Sequence, residues 1–335
     1  VLLQDPAVLE AVVVCREDQP GDKRLVAYVA PRASLESPYA EDAGEAEHHW
    51  SAIWNKTYSD STQHIENPAL NLAGWRSSYD GAPVPQHEMM EWLDETVAKI
   101  RQRRVRHVME IGCGTGMLLF RIAPYCETYR ACDVSAEAVR YVSAQLPDRV
   151  GACQVSVTLG SALDVPAGLQ PGSLDCIVLN SVVQYFPNAA YLKNVLLRWR
   201  PFLRQGGCFF IGDVRNHELD EVFQGSIVLA QRRGTGTVGQ WHQDTSTRLE
   251  RESELTLAPS FFQDMAQTLP GANTVVCQSK LGTARNEMMK FRYDVVLTMD
   301  DQAAKVEPAH WQPWPADGLP GLERLLATLK DALVG

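Results

Sequence analysis

The chain has 335 residues, 45% of them hydrophobic and 21% charged, with a formal net charge of -10. This is the profile of a soluble globular protein of one or two domains, and no apolar run reaches the eighteen or so residues that a membrane span needs. The acidic balance, with no basic block beyond RQRRVRH (Arg101 to His107), argues against nucleic acid as a partner.

Val1 to Pro31 holds two strand-like runs, LEAVVVC and RLVAYVA, around the turn-forming REDQPGDK. They predict one hairpin, too small to bury a core by itself. The chain opens on Val1 without methionine or signal peptide, so it reads as a piece of something longer. Residues 32–49 carry five acids and few apolar side chains, and read as an acidic linker. In residues 50–105, WSAIWNKTYSD predicts a short amphipathic helix. Met90, Leu93, Val97 and Ile100 predict a second helix in EMMEWLDETVAKIRQR. Trp50 and Trp54 are expected in core packing.

From 106 to 300 strands and helices alternate, which argues for a mainly parallel sheet covered on both faces. The strand candidates are HVMEIG, YRACDV, QVSVTL, LDCIVLNS, GCFFIGDV, TVVCQSK and YDVVLTM. The last two are joined only by GTARNEMMKFR, which predicts an antiparallel pair at the sheet edge, because a parallel crossover needs a dozen or more residues. SAEAVRYVSAQL and NAAYLKNVLLRWRPFL are helix candidates. Residues 301–335 contain four prolines and then one amphipathic helix, LERLLATLKDALV. The eight cysteines include no C-x-x-C pair. Several lie in apolar runs, where a reduced thiol packs as a small hydrophobe. A reduced, cytoplasmic protein without a metal site is expected.

The chemistry concentrates in EIGCGTG. Gly112, Gly114 and Gly116 follow a strand and open a helix, where glycine permits a tight turn and close approach of a ligand to the backbone. A P-loop would need Lys and Ser/Thr next, but Met117, Leu118 and Leu119 follow. A dinucleotide site would need G-x-G-x-x-G, but Met117 occupies the third glycine's place. Glu110, just before the loop, would repel a pyrophosphate and suits a ligand with a positive end. Asp133, seventeen residues beyond Gly116, ends the second strand, where a carboxylate can accept both ribose hydroxyls. Ribose with a cationic, amino-acid-like end describes S-adenosylmethionine. Ala162, Leu163 and Asp164 in GSALDVPAG are candidates to flank adenine. NSVVQYF, in place of D/N-P-P-Y/F, argues against a DNA adenine methyltransferase.

These motifs, together with GWRSSYDGAPVP (Gly74 to Pro85), LNSVVQYFPNAAYL, FIGDVRN and ARNEMMKFRYDVVLT, resemble the N-methyltransferase domains embedded in adenylation domains of nonribosomal peptide synthetases. The likeness spans about residues 50 to 300. AVVVCREDQPGDKRLVAYVAP resembles the start of the small C-terminal adenylation subdomain. The resemblance implies an α/β, Rossmann-like class I S-adenosylmethionine-dependent methyltransferase fold with an antiparallel last strand. It divides the chain into an adenylation hairpin (1–31), the linker (32–49), a helical lid (50–105), a core (106–300) and a connection back to the adenylation subdomain (301–335). It also implies backbone N-methylation of an aminoacyl thioester on a carrier protein's phosphopantetheine arm. The remainder of the adenylation domain is an expected partner, and an MbtH-like accessory protein is a further one. Expected at the acceptor amine are Glu287 and Asp213, with Asn180 and Tyr185 lining the site, and Arg215 and Asn286 nearby. Tyr58, Trp75 and Tyr79 are expected over the methionine end, where aromatic faces attract a sulfonium. Two other readings stand beside this one: a methyltransferase acting on a side-chain hydroxyl or thiol or on a free small molecule, and a non-catalytic interaction insert.

Overall fold

A computed structural model describes residues 8–19, 22–31, 49–59, 67–233 and 235–300, with 320, 321 and 324. Apart from His49 and Arg324, the expected linker and C-terminal helix lie outside the described residues. Strands β1 (Val8–Gln19) and β2 (Asp22–Pro31) form the expected antiparallel hairpin. Val12, Val13 and Tyr28 on it stay exposed.

The main sheet has seven strands in the order β5-β4-β3-β6-β7-β9-β8. They are β3 (His107–Ile111), β4 (Thr128–Asp133), β5 (Gln154–Leu159), β6 (Leu174–Asn180), β7 (Leu203–Arg215), β8 (Ala272–Ser279) and β9 (Arg292–Met299). Strands β3 to β7 pair in parallel, and β9 lies antiparallel to both β7 and β8. All seven residues of β6 are buried. Its unbroken apolar run, LDCIVLN, follows from a strand covered on both faces. Edge strand β5 alternates between exposed and half-buried positions instead. From β3 the chain winds outward through β4 and β5, then returns to lay β6 on the other side of β3. That reversal opens a crevice beyond the carboxyl ends of β3 and β6, where open α/β sheets bind ligands.

Helix α1 (residues 49–59) precedes the sheet, and α2 (Gln86–Arg101) buries Met89, Trp92, Leu93, Thr96, Val97 and Ile100. The stripe is rotated from the predicted one: Met90 is only half-buried, while Met89 and Trp92 point inward. Trp92 sets that face because its ring packs on Trp75 (4.8 Å) and its indole N–H donates to Asp213 (3.1 Å). The short helix α3 (Leu119–Ile122) follows the glycine loop. Side-chain caps start α4 (Ala136–Gln145) at Ser135 and α5 (Ala189–Trp199) at Asn188, each satisfying a backbone N–H that the first turn leaves free.

Residues 216–270 form α6 (Asp220–Arg232), α7 (Val238–Glu250) and α8 (Pro259–Thr268), which the alternation of strands and helices does not single out. Helices α6 and α7 pack through Gly225, whose backbone approaches Trp241 so closely that a Cβ would lie 2.5 Å from the indole. The Trp241 N–H donates to the Gly225 carbonyl at 2.9 Å. Short α9 (Glu287–Phe291) leads into β9.

Beneath the crevice the core contains charge. Lys280 and Asp294 are both fully buried and pair at 2.6 Å, and Lys99 reaches the other Asp294 oxygen at 2.7 Å. Removing one member of a buried pair strands the other charge, at a cost of ~3–5 kcal/mol. Asp294→Ala should lower the unfolding free energy by about that amount in urea melts. A loss under 1 kcal/mol would show that Lys280 finds water or another partner.

Candidate active site

The crevice is a cavity of about 440 Å³ reached by the loops after β3, β4, β6 and β7. The three glycines of its first loop divide into two roles. All have positive φ (74°, 50° and 80°), which L side chains rarely adopt. A Cβ on Gly112 would run into Val182 at 2.3 Å, and one on Gly116 would meet Phe120 and Val142 at about 3 Å. Those two glycines serve packing. Gly114 borders the Tyr58 hydroxyl, which a Cβ there would meet at 3.1 Å.

Asp133 ends β4 and lines the cavity. The Gly114 N–H donates to one of its oxygens (2.8 Å) and the Ser135 N–H to the other (2.9 Å). A carboxylate oxygen accepts more than one bond, so both can still receive hydroxyls. Burial raises the Asp133 carboxyl above its ordinary range, against the pull of these amides. Burial also pushes Glu110 up to about 8, with the Tyr129 hydroxyl (2.9 Å) opposing and the Asp133 charge adding.

Helix α1 covers this end. It is tied down where Ser51 donates to the Val134 carbonyl (2.9 Å) and the Ser135 hydroxyl donates to Asn55 (2.8 Å). Trp54 stacks on Tyr58, and both Trp50 and Trp54 contact Tyr185. Expected as core residues, Trp50 and Trp54 line the cavity instead, because α1 lies over the strand ends and not in a core. Trp75 lines it too. Tyr79 does not: its hydroxyl bonds Ser226 (3.0 Å) and its ring meets Phe223 edge-on. Ala162 lines the wall, while Leu163 packs toward the core and Asp164 accepts the Ser161 N–H (2.8 Å).

The acceptor residues expected from sequence separate sharply. Asn180 ends β6 with its amide oxygen buried and without a hydrogen bond. It fits only because residue 212 is glycine, where a Cβ would lie 2.1 Å from that oxygen. Tyr185 lines the cavity, and burial raises its hydroxyl above the usual range, with the Glu254 charge next in weight. Glu287 is buried and both its oxygens accept from Ser78, through the backbone N–H (3.0 and 3.2 Å) and the hydroxyl (2.7 Å). Asn286 caps α9 and donates to Glu88 (2.8 Å).

Asp213 does not line the cavity and has no exposed surface. It pairs with Arg292 (2.6 Å) and accepts from Ser181 (2.6 Å) and Trp92. Burial opposes its ionisation, but Arg292 and Lys280 outweigh burial and hold the carboxyl below its ordinary range. A carboxylate so committed is a support and not a proton acceptor. Its strand neighbour Arg215 goes elsewhere, to Asp220, Glu252 and Glu254 at 2.7–2.9 Å. Sequence reasoning missed Arg292, Ser181 and the wall made by α6, α7 and residues 252–254. Partner choice between Arg215 and Arg292 leaves no mark in a linear pattern.

Residues 109–209 match a family model described as a methyltransferase domain. The chain carries a methyltransferase domain. The chain is similar to chondramide synthase cmdD of Chondromyces crocatus, 36% identical over 348 residues, covering 100% of this chain and 9% of that protein. Nonribosomal peptide synthetase asqK of Emericella nidulans is 34% identical, covering 88% of this chain and 12% of that one. The beauvericin nonribosomal cyclodepsipeptide synthetase of Beauveria bassiana is 31% identical, covering 92% and 10%. The chain thus spans about a tenth of the length of these relatives. Among solved structures, magnesium protoporphyrin IX methyltransferase from Synechocystis PCC 6803 aligns with TM-score 0.48 and 11% identity, over 76% of this chain and 100% of that one.

S-adenosylmethionine is the cofactor of this methyltransferase, and the residues present fit it. Asp133 can take the ribose, Glu110 and the Tyr58 and Trp75 rings the cationic end, and Asn180 still has an oxygen to offer. Among the described residues no group of His, Cys, Asp and Glu could hold a metal ion, and no helix is long and apolar enough to cross a membrane.

Each hydrogen bond to a charged group contributes about 1.5–3 kcal/mol. Losing two, Asp133→Ala should weaken S-adenosylmethionine binding by a hundredfold or more in calorimetric titration. An unchanged Kd would remove Asp133 from the ribose. Glu110 gives a pH signature. Pushed up to about 8, it is mostly protonated at neutral pH, and a cationic ligand favours the ionised form. Affinity should therefore fall as pH drops from 8 toward 6, with up to one proton released on binding. Titrations in buffers of different ionisation enthalpy check this, and Glu110→Gln should abolish the release.

Proposed function

We propose that this chain methylates the α-amine of an aminoacyl thioester carried on the phosphopantetheine arm of a carrier protein. One observation carries the choice of an amine. Beyond the cofactor end the cavity is lined by the carboxylates of Glu252, Glu254 and Glu287, with Arg76, Arg215, Arg248 and Arg292 in the same lining. Arg215 holds one oxygen of Glu254 at 2.9 Å, and among the described residues nothing donates to the other. A carboxylate oxygen facing the cavity without a donor suits an amine N–H and disfavours a free carboxylate. The resemblance to segments of nonribosomal peptide synthetases supports a tethered thioester. On the same reading the β1–β2 hairpin belongs to an adenylation subdomain, residues 50–105 act as the lid and 106–300 as the core.

When bound, S-adenosylmethionine supplies an electrophilic methyl group on a sulfonium. The chain's task is to exclude water, align the nitrogen lone pair with that methyl and take away one proton. A reference α-amine has a pKa of roughly 7.7–8.0, so a carboxylate acceptor suffices and no strong buried base is needed. The aromatic cover of Trp50, Trp54, Tyr58 and Tyr185 excludes water from the transfer.

Seryl-pantetheine offers an amine and a hydroxyl on one probe. Incubated with the chain and S-adenosylmethionine, it should gain one methyl on nitrogen, read by tandem mass spectrometry, with a rate rising between pH 7 and 9. Methyl on the hydroxyl, or no transfer by a chain that binds the cofactor, would overturn the reading.

A further inference from the structure

An amine acceptor needs a carboxylate at the cavity wall with an oxygen still to give. Asp213 is sealed behind Arg292, and Glu287 is 5% exposed with both oxygens already accepting from Ser78. Glu252 accepts the Ser253 and Glu254 N–H groups on one oxygen and meets Gln224 and Arg215 with the other. Glu254 differs. Arg215 holds its Oε2 at 2.9 Å, and among the described residues nothing donates to Oε1. Its side chain is 28% exposed and lines the cavity.

The backbone around Glu254 is fixed on two sides. The Leu255 N–H donates to the Gln184 carbonyl (2.8 Å), beside Tyr185, and the Leu257 N–H donates to the Arg215 carbonyl (3.0 Å). The segment after α7 is thereby stitched between the loop after β6 and the end of β7. The charge of Glu254 is felt at Tyr185 and at Arg292, both cavity residues.

We propose that Glu254 is the catalytic carboxylate that holds the acceptor nitrogen through its free oxygen, with Arg215 as the positioning residue that fixes it; this rests on the amine reading above. At neutral pH the acceptor ammonium gives one proton to Glu254, which passes it to water at the open mouth of the cavity. The freed nitrogen lone pair forms the N–CH3 bond as the S–CH3 bond breaks. The electron pair of the broken bond stays on sulfur, leaving S-adenosylhomocysteine, and the product departs as the methylated ammonium. Phe223 and Ile227 of α6 line the same part of the cavity and would receive an apolar amino-acid side chain.

The test compares Glu254→Gln with wild type, using alanyl-pantetheine as acceptor. Expected are an S-adenosylmethionine Kd within twofold of wild type and a kcat at pH 7 lower by about a hundredfold, the lower end for loss of a positioned acid–base group. The deficit should narrow toward pH 9, where the amine sheds its proton unaided. Alanyl-pantetheine should also bind the S-adenosylhomocysteine-saturated variant at least tenfold more weakly by calorimetry. Glu254→Asp, which keeps the carboxylate, should recover part of the rate. Turnover and acceptor binding within threefold of wild type would overturn the proposal. So would a tenfold loss of S-adenosylhomocysteine binding in Glu254→Gln, which would make the side chain structural. Failure of the amine reading shows separately: wild type itself would then make no N-methyl product.

Discussion

Asp213 is the point on which the acceptor half of this site depends. It sits in a left-handed backbone conformation (φ 62°) inside β7, at a bulge where Gly212 and Asp213 stand opposite Asp294 alone. A bulge re-aims a strand beside an active site, and here it turns a carboxylate inward beneath the cavity. The carboxylate gathers Arg292, Ser181 and Trp92, while its backbone N–H donates to Asp294 at 2.9 Å. Ser181 also has positive φ, 55°. Such conformations cost of order 1–3 kcal/mol each and are held by the bonds between these residues. The strain and the buried charges are two sides of one arrangement.

That arrangement explains how the cavity comes to be split in character. Asp213 takes Arg292, so Arg215, two residues along β7, is left for the acids of α6 and the segment after α7. The result is a cavity with one end built from strand tips and the other from the helix pair α6 and α7. The cofactor end uses what any open α/β sheet offers at a reversal of strand order. The other end is walled by α6, α7 and residues 252–254, which bring Arg215, Glu252 and Glu254 together.

The aromatic cover works with both ends. Trp50, Trp54 and Tyr58 lie on one helix whose hydrogen bonds go to the loop carrying Asp133 and Ser135. Tyr185, from the loop after β6, meets the same helix. A ligand at the Asp133 loop and one at Tyr185 thus meet walls that rest on the same helix.

The sheet, its strands and the glycine loop are legible in the chain's local pattern. Those features rest on local physics: alternating apolar runs, glycines where φ must be positive, and an acid at a strand tip. Glu110, Gly114 and Asp133 could be placed at one cavity because their positions depend on immediate neighbours and on the order of the elements. The antiparallel last strand was legible for the same reason, since eleven residues cannot cross a sheet in parallel. Only the tertiary structure decided which carboxylates remain free. Asp213 and Glu287 look suitable at strand and helix ends, but one is buried on Arg292 and the other is buried against Ser78. Glu254, in a stretch without periodicity, is left with an open oxygen. Whether a side chain is committed depends on partners far away in the chain, such as the 79-residue step from Asp213 to Arg292, and no local pattern encodes that pairing.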